Sequence, residues 1–212
     1  MEDAANTADA AGISECQRCG TCCRKGGPAF HQSDKALIET GRIKLADIYT
    51  VRQGEPAFDN VANKAGPLAT DIIKIKSERG SANCKFYDDK IAACAIYEDR
   101  PEECRVMKCW DTRDIEAVYR QPHLTREDLI GNVPEWWALV MEHHQESDYE
   151  RIGRMVEADD KEALAYMIRY DRHFRELARE KTGVDARVLD FLFGMPLENT
   201  IRRYGIVPGE IM

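Results

Sequence analysis

The stretch of the chain with the clearest capacity for chemistry is CQRCGTCC, which places four thiols close together near the start. Three of them, Cys16, Cys19 and Cys22, recur at every third residue. In a tight turn this spacing lets three sulfurs converge on one centre, as the ligands of a cubane cluster or of a zinc site do. Gly20 suits such a turn, because glycine accepts a positive φ without steric cost.

A disulfide knot and a redox pair are the alternative uses of such thiols. The first twelve residues are acidic, small and polar and lack the basic and apolar regions of a secretory signal, which predicts a cytoplasmic protein. In a reducing cytoplasm, cysteines persist as thiols or as metal ligands. A thioredoxin-type motif uses a single C-x-x-C that opens a helix after a strand, and no strand is predicted before Cys16. The run therefore indicates metal ligation.

The other cysteines must join this run through folding. Cys23 directly follows Cys22, and because adjacent side chains usually point apart, we expect Cys23 to bind a second centre or to remain a spare thiolate. Between Cys23 and Cys84 lie 60 residues, so a shared centre closes a long loop. We expect Cys104 to be the fourth ligand of the first centre. The predicted metal ligands are Cys16, Cys19, Cys22, Cys23, Cys84, Cys94, Cys104 and Cys109.

Eight thiolates allow two Cys₄ zinc sites, one cubane with spare thiols, or two clusters. Zinc motifs usually come as two separated C-x₂₋₄-C knuckles, whereas one group here is dense and the other widely spaced. The dense run is closer to that of a [4Fe–4S] protein, so we favour an iron–sulfur cluster, with zinc as the alternative. We predict that Arg100 and Arg105 donate hydrogen bonds to this cofactor or its thiolates; pairing with neighbouring carboxylates is the alternative.

The cysteine pattern resembles that of the CxxCxxCC (YkgJ-like) family of zinc- or iron-chelating cysteine-cluster proteins. The resemblance rests on CQRCGTCC and on a second segment, CKFYDDKIAACAIYEDRPEECR, and it covers residues 16 to about 110. The matching positions of the second segment are Cys84, Phe86, Cys94, Ile96, Tyr97, Arg100, Pro101, Cys104 and Arg105. The resemblance implies a bound metal. The pattern is also similar to that of the flagellin lysine methylases, which implies group transfer to a protein side chain as a possible activity.

Composition narrows the range of partners. The 212-residue chain has a net charge of −8, which disfavours binding to nucleic acid or to an anionic membrane. No stretch approaches the roughly 18 consecutive apolar residues of a membrane span. We therefore expect a protein partner. Three functions remain open: an iron–sulfur protein in electron transfer, which we favour, a zinc-stabilised adaptor, and a group-transfer enzyme.

The sequence pattern also indicates which elements position the thiols. It predicts an α+β fold, with a small cysteine-rich module followed by a mostly helical C-terminal segment. We predict a helix through DKALIET with Ser33 as its N-cap, a second helix over LADIYTVRQ and a loop over residues 55–70. A strand over DIIKIK, a hairpin over residues 84–97 and a helix opening at Pro101 follow.

The second half is expected to be helical and to pack on the cysteine-rich module. Residue pairs resembling capping boxes are Thr125 with Asp128, Ser147 with Glu150, and Asp159 with Glu162. The longest helix is predicted to end near Gly183, and two shorter helices end at Gly194 and Gly205. The predicted organisation is a disordered tail over residues 1–14, a metal-binding module over 15–112 and a helical segment over 113–212.

Overall fold

The computed structural model describes residues 14–211, and the predicted tail over residues 1–14 lies outside this range except for Ser14. The fold is mixed α and β, as predicted, with short antiparallel strand pairs and a mostly helical C-terminal part. The strands are β1 (Ile48–Val51), β2 (Pro56–Asp59), β3 (Lys64–Pro67), β4 (Ile72–Ile75), β5 (Tyr87–Asp88) and β6 (Ala93–Cys94).

The first strand pair joins β1 to β4, with Ile48 opposite Ile75 and Val51 opposite Ile72. β2 and β3 form a hairpin between them, and β5 pairs with β6. The predicted strand over DIIKIK and the predicted hairpin around Asp88 are therefore confirmed.

Two predictions in this part of the chain are wrong. The segment LADIYTVRQ forms a short 3₁₀ turn followed by β1, because its β-branched residues pair with β4 and bury Ile48 completely. The predicted loop over residues 55–70 is the β2–β3 hairpin. Its turn is held by the carboxylate of Asp59, which accepts hydrogen bonds from the amides of Val61 and Ala62 at 2.8 Å each.

The helices begin and end close to the predicted residues. They are α1 (Lys35–Glu39), α2 (Glu102–Val106), α3 (Arg113–Tyr119), α4 (Arg126–Ile130), α5 (Pro134–Glu146), α6 (Tyr149–Glu157), α7 (Lys161–Thr182), α8 (Leu189–Phe193) and α9 (Leu197–Thr200). Pro101 precedes α2 directly, and α7 ends at Gly183, whose φ is +68°.

Only one of the predicted capping boxes has the expected geometry. Thr125 caps α4 and forms a box with Asp128. The caps of α6 and α7 are Asp148 and Asp160, each one residue after the predicted position. Ser33 is not the N-cap of α1; that position is Asp34, whose carboxylate accepts from the amides of His31 and Glu102.

One apolar core joins the cysteine-rich part to the C-terminal helices. Phe30, Ile48 and Ile73 from the first part pack in the same buried cluster as Phe191 and Phe193 of α8. The Oγ1 hydroxyl of Thr50 on β1 donates a hydrogen bond to the carbonyl of Phe191 at 2.6 Å. The two tryptophans of α5 also pack against this core. The sheet that supports the cysteine-bearing loops is thus covered by the last part of the chain.

A buried polar layer lies beside this core, between α5 and α7. The Nε2 atom of His143 lies 2.7 Å from the Oδ1 atom of Asp171, and Arg175 donates to the same carboxylate at 3.0 Å. On the other side of the imidazole, Arg52 donates to the hydroxyl of Ser147 at 2.8 Å. Burying charged groups is costly unless they are paired and hydrogen-bonded. The contacts among His143, Asp171 and Arg175 therefore offset part of the cost of removing these groups from water.

Candidate metal centre

The run CQRCGTCC folds as an irregular turn that ends in a 3₁₀ turn over Cys23–Lys25. Arg18 and Gly20 have positive φ values of +54° and +76°, and the amide of Arg24 donates a hydrogen bond to the carbonyl of Gly20 at 2.9 Å. The thiol of Cys19 lies 3.3 Å from the hydroxyl of Thr21, and this hydrogen bond lowers the pKa of the Cys19 thiol. The predicted turn at Gly20 is therefore present.

Tyr87 on β5 fixes this turn to the later cysteine segment. Its hydroxyl lies where a Cβ atom at position 20 would be. Arg24 ties the two segments together, since it donates to the carbonyl of Cys19 at 2.9 Å, to the Tyr87 hydroxyl at 3.1 Å and to Asp89 at 2.9 Å. The first cysteine group is thus packed on the β5–β6 hairpin.

The two cysteine groups meet at Cys23. The amide of Cys84 donates to the carbonyl of Cys23 at 2.7 Å, and Cys94 lies opposite Tyr87 in the hairpin. Burial, followed by the neighbouring Cys22, Cys84 and Cys94 thiols, raises the pKa of Cys23 to about 12. The backbone of Cys23 therefore contacts the second cysteine group, while its role as the ligand of a second centre or as a spare thiolate stays a prediction.

Cys104 approaches the same place from α2. Burial raises the pKa of its thiol, and the charges of Cys84, Cys23 and Cys22 add to the effect. Cys104 therefore lies near enough to Cys22, Cys23 and Cys84 for their charges to interact, while ligation of a shared centre by Cys104 stays a prediction. The pKa values of Cys23, Cys84 and Cys104 are each raised by burial and, in part, by neighbouring thiols. We call the five cysteines involved in these interactions the convergent thiols: Cys22, Cys23, Cys84, Cys94 and Cys104.

The remaining three cysteines, Cys16, Cys19 and Cys109, lie outside this group. All three are exposed, as Cys22 also is, and Cys109 follows the end of α2. Cys16 accepts a hydrogen bond from the amide of Arg18 at 3.4 Å. Ligation of a metal by these three cysteines stays a prediction.

The two predicted cofactor-binding arginines have specific protein partners. The guanidinium of Arg100 lies 3.5 Å from the centroid of the Tyr97 ring, and its Nε atom donates to the Tyr97 carbonyl at 2.6 Å. Arg105 donates to the carbonyl of Arg100 at 2.6 Å and lies 3.4 Å from the buried carboxylate of Asp34. These contacts brace the loop before α2, while donation to a cofactor stays a prediction.

A second group of potential ligands was not predicted. Among residues 14–211, His31, Glu103 and His123 are the one set of three or more histidine, cysteine or carboxylate side chains whose ligand atoms all lie within 4.8 Å of one another. They come from three distant positions and have no local spacing motif. The signal that could have suggested them is Glu103 itself, which directly precedes Cys104.

The charges in this second group are coupled. Burial opposes protonation of His31, but the hydrogen bond and charge of Glu103 leave its pKa raised. The Pro122 carbonyl also contributes, although the Nδ1 atom of His31 forms no hydrogen bond of normal geometry with it. Burial lowers the pKa of His123.

In the part of the chain that the structure describes, no helix has the length and apolarity needed to cross a membrane.

Similarity to a known family lies in the cysteine-bearing part of the chain. Neither the curated proteins nor the solved structures contain a match to the chain. The model of the CxxCxxCC family, described as "Putative zinc- or iron-chelating domain", matches residues 15–124. With more than half of its length matched, and with the cysteines of both segments inside the match, the chain belongs to the CxxCxxCC family.

Proposed function

We propose that four of the five convergent thiols bind a [4Fe–4S] cluster and that the protein acts as a redox or electron-transfer partner. The observation that carries the proposal is the meeting of two distant cysteine groups around one place, with the Cys84 amide bonded to the Cys23 carbonyl at 2.7 Å. Thiolates are ligands that iron–sulfur clusters and zinc both accept, so the donor set fits the metals of the family. When bound, a cluster supplies one-electron redox chemistry.

The spacing of the cysteines supports a cluster over zinc. Zinc motifs usually come as two separated C-x₂₋₄-C knuckles, whereas one cysteine group here is dense and the other is widely spaced. The dense run Cys16, Cys19 and Cys22 is closer to the ligand run of a cubane protein.

The surroundings of the convergent thiols support electron exchange with a protein partner. Cys22 is exposed while Cys84 is buried, so one side of the centre faces solvent and the other faces the core. Ile91, in the turn between β5 and β6, is 71% exposed and offers an apolar contact near Cys94. We further propose a cytoplasmic location, where thiols remain reduced, and a metal-binding module over residues 15–112 supported by the helical segment.

The test is elemental analysis of the protein purified without oxygen. We expect about four iron and four sulfide per chain, as a cubane contains, with broad absorption near ~400 nm. Cys104→Ser should lose most of this iron and sulfide, because it removes a half-buried convergent thiol. Cys109→Ser is the matched control, and it should retain both because Cys109 is exposed and lies outside the convergent set.

Two results would contradict the proposal. Tightly held zinc without sulfide would identify the alternative, a zinc-stabilised adaptor. Full iron and sulfide in Cys104→Ser would show that the first cysteine group forms its own centre without the second.

A further inference from the structure

The segments that carry His31 and His123 are joined by the backbone. Leu124 donates its amide hydrogen to the carbonyl of Phe30 at 2.8 Å, and the two histidines face each other in an isolated antiparallel bridge. Their ring centroids are 4.6 Å apart. Because Phe30 and Leu124 are both fully buried, the core holds the two imidazoles side by side.

Glu103 brings a carboxylate to the same place from α2. Its Oε1 atom lies 3.4 Å from the Nε2 atom of His31, and its Oε2 atom accepts from the amide of Ala29 at 2.8 Å. All three side chains offer a ligand atom within 4.8 Å of the others. Two ligands that each lie about 2.0–2.2 Å from a metal are at most about 4.4 Å apart, so small side-chain rotations suffice to close the set on one ion.

Two atoms of this group lack the hydrogen bonds that buried polar atoms normally have. The side chain of His31 is 1% exposed, and its Nδ1 atom has no hydrogen-bond partner among the described residues. The Nε2 atom of His123 is likewise buried without a partner in residues 14–211. An unsatisfied buried polar atom costs about 1–3 kcal/mol, and a metal bond to the Nε2 atom of His123 is one way to recover that cost. His31 would bind through its own Nε2 atom, which is the one that faces Glu103.

We propose that His31, Glu103 and His123 bind a divalent first-row transition-metal ion. Two imidazoles and one carboxylate are a donor set that suits Zn²⁺ and Fe²⁺, and three protein ligands leave coordination positions open to water or a small ligand. The donors are nitrogen and oxygen, so this site differs in chemistry from the convergent thiols.

Helix α2 places the two sites next to each other. Glu103 contacts His31, and the following residue, Cys104, lies among the convergent thiols. Adjacent residues of a helix point about 100° apart, so neighbouring side chains of α2 serve different sites.

A purely structural alternative uses the same residues. His31 and Glu103 form an ion pair in the absence of metal, and the charge of Lys74 also acts on Glu103. In that arrangement the positive charges of His31 and Lys74 take the place of a metal ion. The experiment must therefore separate metal binding from ion pairing.

The test is a titration of the protein, with its thiol centre loaded, with Co²⁺. Cobalt replaces zinc in such sites, and its optical spectrum distinguishes nitrogen and oxygen ligands from sulfur. We expect one added equivalent with no sulfur-to-cobalt charge-transfer band. His123→Gln should weaken this binding at least tenfold, because even the loss of groups that only support a metal ligand costs 10–100-fold.

His144→Gln is the matched control, since His144 is also half-buried and has an unpartnered ring nitrogen but lies on α5. It should bind Co²⁺ as the unaltered chain does. Lys74→Met should bind more tightly, because it removes a positive charge that acts on Glu103. The proposal is overturned if no equivalent binds, if a sulfur charge-transfer band accompanies it, or if His123→Gln binds with unchanged affinity.

Discussion

Gly20 is required by two independent features of the cysteine turn. Its φ of +76° is in the left-handed region, and a Cβ atom on it would overlap the hydroxyl of Tyr87. The close approach allows Arg24 to bridge the Cys19 carbonyl and the Tyr87 hydroxyl. A single residue without a side chain therefore permits the contact between the first thiols and the β5–β6 hairpin.

We predict that Gly20→Ala loses bound metal. Gly41→Ala is the matched control, because Gly41 has a φ of +74° but nothing within 4 Å of an added Cβ. Both variants should lose about 1–2 kcal/mol of folding free energy from the left-handed conformation. Only Gly20→Ala must also displace Tyr87, so its metal content should fall while that of Gly41→Ala does not. Metal analysis and urea denaturation of both proteins check this, and equal metal content in the two would contradict it.

Residue spacing correctly predicted those features of the site that depend on residues close together in the sequence. The turn at Gly20 depends on consecutive residues of CQRCGTCC, and the structure contains it. The contact between the Cys84 amide and the Cys23 carbonyl joins segments that are distant in the sequence, so the spacing of the cysteines could not predict it. His31 and His123 were missed for the same reason, since a bridge between distant segments brings them together.

At the scale of elements, features that depend on neighbouring residues were again predicted correctly, whereas pairing between distant segments was missed. α7 and its end at Gly183 follow from a long amphipathic pattern and a terminal glycine, both of which are local. β1 was mistaken for a helix because its identity depends on pairing with β4 across the hairpin between them. The caps of α6 and α7 were displaced by one residue because two polar residues adjoin each helix, and only the geometry decides which one accepts the amide hydrogen.

The contact between α5 and α7 includes a buried histidine, His143, whose ionisation makes the free energy of unfolding depend on pH. Burial lowers the pKa of His143 to about 3, although its hydrogen bond to Asp171 acts in the opposite direction. The unfolded chain has a histidine pKa of about 6.5. Between these two values the unfolded state takes up a proton that the folded state does not, so the free energy of unfolding falls as the pH decreases.

We predict that His143→Gln reduces this pH dependence. Between pH 7 and pH 5, the histidine should cost the unaltered protein about 2 kcal/mol of folding free energy, and the variant should not lose this amount. The amide of glutamine can still donate to Asp171. His173→Gln is the control, because His173 is exposed and lies on α7. Urea denaturation at both pH values measures the difference, and parallel losses in all three proteins would refute the role of His143.

At the scale of the whole molecule, the family segment and the folding unit differ. The family match ends at residue 124, whereas the core that packs under β1 and β4 includes Phe191 and Phe193. Residues 15–124 alone would expose the face of the sheet that α8 covers. The helical segment is therefore part of the support of the thiols, whatever further role it has.

We predict that a fragment of residues 15–124 does not fold stably by itself. Loss of α8 removes two fully buried phenylalanines from the core, and truncating a single buried phenylalanine typically costs about 3–5 kcal/mol. Circular dichroism and thermal melting of the fragment and of the full chain provide the comparison. A fragment that melts cooperatively near the temperature of the full chain would contradict the prediction.

The contact between Thr50 and Phe191 has a consequence for protein synthesis. A ribosome releases the cysteine segments before residues 189–193 are made, so β1 is without its covering helix during that interval. We therefore expect stable metal binding to depend on residues 189–193, so that ribosome-bound chains ending before residue 189 retain less metal than chains that include α8.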